Sequence, residues 1–115
     1  MVTRRDPTTR VFAALADRTR RRILMGLARQ GEAPVNSLAR PFRISRPAIS
    51  RHLRTLERAG LIGRRRRGRL HLIRVRAAGL APVRQWMEQC AAGWQFSFDA
   101  LDSALEKERL AGRAK

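Results

Sequence analysis

Residues 44–60 read ISRPAISRHLRTLERAG, and the fold of the whole chain turns on them. Ser45 is a good N-cap, because its hydroxyl can accept from a backbone N–H of the first helical turn. Pro47 falls near a helix start, where the N–H it lacks would have no partner anyway. Ile49, Leu53 and Leu56 recur at steps of four and three, which puts them on one face. At about 100° per residue, Arg46, Pro47, Ser50, Arg54 and Arg58 project from the opposite face, with Arg51 at its margin. Gly60 suits the position just past the last turn. The spacing predicts a short helix with an apolar back and an arginine–serine front, shaped to lie in a groove of nucleic acid.

Upstream, Pro7 with Thr8 and Thr9 opens a helix carrying Val11, Phe12 and Leu15 on one side, behind a polar segment 1–6 expected to fray. Asp17 offers an N-cap for a second helix through Ile23, Leu24 and Leu27 to about Arg29, closed by Gln30-Gly31. Arg18, Arg20, Arg21 and Arg22 crowd its first turns, where they read as a solvated basic face, the alternative being an approach to phosphates. Glu32-Ala33-Pro34 is a connector with at most one extended pair. Asn36 is a candidate cap for a short third helix holding Leu38, Ala39 and Phe42, with Pro41 forcing an irregular end. Phe42-Arg43-Ile44 then separates it from the cap at Ser45, and two helices joined by so tight a turn form a helix-turn-helix.

Beyond Gly60 the period changes to that of strands. Residues 61–66 lead into Arg67-Gly68, and Arg69 to Arg76 lead away with basic residues and His71 interspersed among Leu70, Leu72, Ile73 and Val75. Gly68 suits a turn with positive φ, so this is a β-hairpin with an arginine tip. Beside a reading helix it is a wing, and Arg64, Arg65, Arg66, Arg67 and Arg69 are its candidate phosphate contacts.

The charge is distributed to match. The 115 residues carry 26 basic and 9 acidic side chains, a net charge of +17, which favours a polyanionic partner. Residues 1–78 hold 21 arginines and 4 acids, while 79–115 hold 5 basic and 5 acidic residues. The polyanion surface therefore belongs to the first two-thirds. One cysteine rules out an intramolecular disulfide framework and fits a reducing compartment. No apolar run approaches a membrane span, so the expectation is a cytoplasmic protein with no membrane partner.

In the neutral last third, Ala77-Ala78-Gly79 reads as a hinge and Pro82 as the first turn of a final helix. Leu80, Val83, Met87, Cys90, Trp94, Phe98, Leu101 and Leu105 follow at steps of 3, 4, 3, 4, 4, 3 and 4. This near-heptad seam, over about 25 residues, is more than one copy of the chain can cover, and its expected cover is a second copy. Gly93 and Trp94-Gln95-Phe96 mark an expected bend. The chain reads as one domain, 1–115, with a DNA-binding core at 7–78 and a dimerisation helix at 79–115.

Three stretches, FAALADRTRRRIL at 12–24, ISRPAISRHLRTLERAGLI at 44–62 and GRLHLIRV at 68–75, resemble the ArsR-type (ArsR/SmtB) winged-helix transcriptional repressors of bacteria. The helix with Trp86 and Trp94 is similar to the branch lacking the family's usual metal-binding motifs. The resemblance covers nearly the whole chain, and its middle motif is the most specific. It implies a mainly α fold with a small β-hairpin, ordered α-α-α-α-β-β-α, and a homodimer formed through the first and last helices. Phe12 and Leu15 would then join Val83, Met87, Cys90, Trp94, Phe98, Leu101 and Leu105 at the interface. It further implies a repressor that binds an imperfect palindrome of double-stranded DNA. Base contacts would come from Ser45, Arg46, Pro47, Ser50 and Arg51, with Arg54 near phosphate. Arg18 stands where the family's ADPTR motif has proline, a departure that bears on the start of the second helix.

Metal-sensing relatives use paired cysteines in the third helix, or His and acidic residues in the last. The corresponding segment here is Val35-Asn36-Ser37-Leu38, and the last helix has no histidine. Two scattered histidines and Cys90 do not make a ligand set, so no metal and no cofactor is expected. His52 reads as a packed or hydrogen-bonded residue, and Cys90 as a small core residue, the lesser alternative being an oxidant-responsive thiol. No nucleophile with a matching base, phosphate-cradling loop or carboxylate pair points to an enzyme. The competing reading of the same charge is a non-specific packaging or RNA-binding protein. A pure interaction module would leave the arginine wing without a purpose.

Overall fold

A computed structural model describes residues 6–93 and 98–114. They fall into two compact units that meet in sequence between Val83 and Arg84. The first unit begins with α1 (Pro7–Leu15), α2 (Arg18–Gln30), β1 (Glu32–Pro34), α3 (Val35–Ala39) and α4 (Arg46–Arg58). The hairpin strands β2 (Ile62–Arg67) and β3 (Leu70–Val75) and a short 3-10 turn, Ala77–Leu80, follow.

The starts of α1, α2 and α4 are each set by a side chain. Asp6 accepts from the Thr9 N–H at 2.8 Å and Asp17 from the Arg20 N–H at 2.9 Å, so each carboxylate satisfies an otherwise orphaned donor. The cap at Asp6 was not expected in a segment read as frayed. Arg18 opens α2 directly behind Asp17, so the departure from the proline motif leaves that helix start intact. Ser45 caps α4 as expected, accepting from the Ala48 N–H at 3.2 Å. Asn36 does not cap α3. It lies inside the helix, whose N-cap is Pro34, and Ser37 Oγ instead donates to the Pro34 carbonyl at 2.9 Å.

The end of α4 is equally determined. Gly60 takes φ +79°, and its N–H reaches the Glu57 carbonyl while the Leu61 N–H reaches that of Leu56. This pair of bonds closes the helix, and Leu56 and Leu61 are both buried beneath it. Gly68, at φ +62°, then turns the hairpin. The connector at 32–34 is a full third strand, so the sheet is antiparallel in the order β1-β3-β2. Glu32 pairs with Arg74, and Arg65 with Leu72.

The core joins all these elements. Val11 and Ala14 of α1 meet Ile23 and Leu27 of α2, Leu38 of α3, the Ile49–Leu53–Leu56 face of α4, and Ile62 and Ile73 of the sheet. No polar side chain is buried among the described residues. Ile49, Leu53 and Leu56 are fully buried. Each such side chain contributes roughly 1.5–3 kcal/mol on burial. The architecture is a winged helix-turn-helix, mainly α with a small sheet, as the sequence led us to expect.

The expected single last helix is described as two segments, α5 (Ala81–Gly93) and α6 (Phe98–Ala114). Residues 94–97, and with them the expected bend and Trp94, lie outside the described residues. In the second unit, Arg84 pairs with Glu88 and Arg109 with Glu106 along their own helices.

Candidate nucleic-acid interface

Because Ile49, Leu53 and Leu56 face the core, the rest of α4 must face outward, and Arg46, Pro47, Arg51, Arg54 and Arg58 are all exposed. Ser50 is half-buried beside them. Ser45, at the helix start, has its oxygen engaged by the cap yet keeps a hydroxyl proton to donate. The amino end of α4, with Arg46 and Pro47 in its first turn, thus faces solvent with the positive end of the helix dipole behind it. Arg40 and Arg43, in the turn before Ser45, are exposed as well and extend the basic surface.

The wing arginines are not equivalent. Arg65 Nε and one of its terminal nitrogens donate to the two carboxylate oxygens of Glu32 at 2.7 and 2.8 Å, a forked pair between β2 and β1. The hydrogen bond from Arg65, with the charges of Arg65, Arg74 and Arg67, holds the Glu32 carboxyl below its ordinary value. Arg64 Nε donates to Glu57 Oε1 at 3.1 Å, which fastens the wing to α4. Arg66, Arg67 and Arg69 have no acidic partner among the described residues and stand exposed around the Gly68 turn. The five expected contacts therefore divide into two that brace the wing and three whose charge faces solvent.

The arginines that open α2 divide in the same way. Arg20 donates to the carbonyls of Ala14 at 2.6 Å and Ala13 at 3.0 Å, and Arg21 to that of Leu15 at 2.7 Å. These carbonyls lie at the end of α1, that of Ala13 also accepting from the Ala16 N–H at 3.3 Å, so α2 caps α1 through two guanidinium groups. Arg20 is partly buried at this junction, while Arg21 makes its bonds from an exposed position. Arg22 lies over the Phe42 ring, 5.1 Å from its centroid. His52 Nδ1 lies 3.9 Å from Asp17 Oδ2, which joins the back of α4 to the cap of α2.

The residues expected at a dimer interface fare variously. Leu15 and Val83 are half-buried against the chain's own core, while Phe12 is 42 % exposed. On α5 Met87 is exposed and Cys90 half-buried, and on α6 Leu101 is half-buried and Leu105 exposed. Trp94 and the side chain of Phe98 lie outside the described residues. No group of three metal-ligating side chains occurs among the described residues, and no described helix is long and apolar enough to cross a membrane.

Residues 17–63, from the cap of α2 to the start of β2, match the model of the bacterial regulatory protein family arsR. The chain is 39 % identical over 83 residues to an arsenic resistance transcriptional regulator of Pseudomonas putida, spanning 72 % of this chain and 62 % of that protein. It is 43 % identical over 84 residues to a helix-turn-helix transcriptional regulator of Mycobacterium tuberculosis, spanning 73 % of this chain and 77 % of that one. Among solved structures, an ArsR family transcriptional regulator superposes with a TM-score of 0.74 at 32 % identity, over 80 % of this chain and all of that one. A homodimeric winged helix-turn-helix DNA-binding domain from Mycobacterium bovis gives 0.60 at 28 % identity, over 80 % and 91 % of the two chains. Fold, motif and identity agree: the chain belongs to the arsR family of bacterial transcriptional regulators, which are DNA-binding proteins and not enzymes.

Proposed function

We propose that the protein is a metal-independent repressor that binds a palindromic operator as a homodimer in the cytoplasm. The observation that carries this reading is the outward face of α4, where Arg46, Pro47 and Arg51 follow the Ser45 cap on a helix locked to the core. A helix of this diameter fits the major groove, and Arg46 or Arg51 forking onto a guanine would give about 1–3 kcal/mol of base discrimination. Ser50 contributes a hydroxyl to the same face, and Arg54 reaches phosphate. Arg66, Arg67 and Arg69 supply sequence-independent affinity through counterion release. Arg64 and Arg65 act less directly, by holding the wing in place.

Dimerisation rests on the exposed apolar side chains of the two C-terminal helices, including Met87 at 40 % and Leu105 at 54 %. It rests also on the homodimeric state named for the Mycobacterium bovis relative. Two copies would present two α4 helices to half-sites about one helical turn apart. Metal independence rests on donor chemistry: one thiol and two scattered histidines per chain are too few for a soft-metal site of several thiolates.

Selection of duplexes from a random pool tests the reading. Enrichment of an inverted repeat with half-sites about one turn apart is expected, together with a dimer in sedimentation and binding unaffected by a chelator. Enrichment of no sequence, with RNA bound as tightly as duplex at matched salt, would instead establish a non-specific nucleic-acid-binding protein.

A further inference from the structure

A cavity of about 640 Å³ opens between α2 and α3, away from the outward face of α4. Met25, Gly26, Leu38, Pro41 and Phe42 give it an apolar floor, and Arg18, Arg21, Arg22 and Arg29 stand around it. No acidic residue lines it. Its volume is that of a small-molecule site. Two of the four arginines are already engaged, Arg21 with the end of α1 and Arg22 with the Phe42 ring. Arg18 and Arg29 have no acidic partner among the described residues.

Gly26 supplies an independent observation. It lies in the interior of α2, where glycine is the least favourable residue after proline. Its φ is not positive, and a Cβ built on it would meet nothing within 4 Å. Neither backbone conformation nor close packing calls for glycine there. What the missing side chain does leave is open space above the groove floor. Met25 beside it is 58 % exposed, an apolar side chain presented to that space.

We propose that this groove binds a small amphipathic organic anion, a carboxylate or sulfonate carrying an alkyl or aryl body. The body lies over Gly26, Met25 and Phe42, and the head is held by Arg29, one turn from Gly26. Net positive charge with no lining acid selects the anion, and the apolar floor selects against small hydrated ions. Binding of this kind does not depend on what α4 reads.

Isothermal titration with decanoate below its micelle concentration tests the site, with acetate and decyltrimethylammonium as controls. Saturable binding of one decanoate per chain is expected, with neither control binding in the same range. Gly26→Leu, whose Cβ meets nothing within 4 Å and whose side chain extends over the groove, should weaken decanoate about tenfold or more while helical content and melting stay at or above wild type. Arg29→Gln should weaken it several-fold with the fold unchanged. The proposal is overturned by no decanoate binding, by equal binding of the cationic amphiphile, or by affinity that Gly26→Leu leaves unchanged. The last result would place the amphiphile on another apolar surface.

Discussion

Gly79 packs directly on the carbonyl of Gly60: a Cβ built on Gly79 would lie 2.0 Å from the Gly60 oxygen and 2.6 Å from its carbon. The 3-10 turn that follows the wing is thereby seated against the C-terminal stop of α4. Both partners in this contact are backbone, so neither can rotate away. Gly79→Ala should therefore destabilise the fold by about 1–3 kcal/mol, read from urea denaturation. Gly26→Ala should do the reverse, stabilising by roughly 0.5–1 kcal/mol, because its Cβ meets open space within a helix.

The arginines that open α2 give a second contrast. Arg20 makes two charged hydrogen bonds to the end of α1 in a partly buried setting. Arg20→Ala should cost about 1.5–3 kcal/mol of stability. Arg18→Ala, at an exposed position, should stay within about 0.5 kcal/mol of wild type. Equal losses from both would show that the guanidinium cap on α1 contributes nothing.

These roles mark where reading the sequence stopped. Ile49, Leu53, Leu56, the Ser45 cap and the Gly60 stop were legible because helical periodicity and capping are local, and each acts within a few residues of itself. The hairpin was legible for the same reason, with Gly68 between two alternating arms. The partners of the arginines were not. Arg65 and Glu32 are 33 residues apart, and only the pairing of β1 with β3 brings them together. Glu32-Ala33-Pro34 is too short to show a strand period, so the strand that places Glu32 was read as a connector. The bonds of Arg20 and Arg21 to the end of α1 were not legible, because a basic run at a helix start gives no sign of the preceding helix that ends beside it. Asp6 was passed over because a cap lying among polar terminal residues has no apolar contrast to mark it.

The division of the wing into bracing and solvent-facing arginines predicts different salt dependences. Arg66→Ala should weaken binding to every duplex and reduce the slope of log affinity against log salt by about 1. Arg65→Ala should change that slope less, because its charge is already paired with Glu32. Titrations of one duplex across a salt series check both. Indistinguishable slopes for the two variants would mean that Arg65 leaves Glu32 for phosphate.

Acid should weaken the fold through two named carboxylates. Glu32 is held low first by its hydrogen bond from Arg65, and Asp17 first by the Arg20 N–H it caps, with the charges of Arg20 and His52 adding. A folded-state pKa below the unfolded one stabilises the protein fully above the unfolded value, near 4, and that stability is lost as pH falls through the folded value. Urea midpoints should therefore be flat from about pH 7 to 5 and fall below about pH 4. In Glu32→Gln and in Asp17→Ala the fall should be shallower. A fall of wild-type steepness in both variants would show that other groups control the acid limb.

The most direct test of α4 as the reading element is the ratio of two dissociation constants at one salt concentration. One is for a duplex selected by the protein, and the other is for the same duplex scrambled. For wild type the ratio should favour the selected duplex by about a thousandfold or more. In Arg51→Ala it should fall by about tenfold or more, with affinity for the scrambled duplex little changed. A wild-type ratio near one, or a ratio that neither Arg51→Ala nor Arg46→Ala alters, would contradict the account.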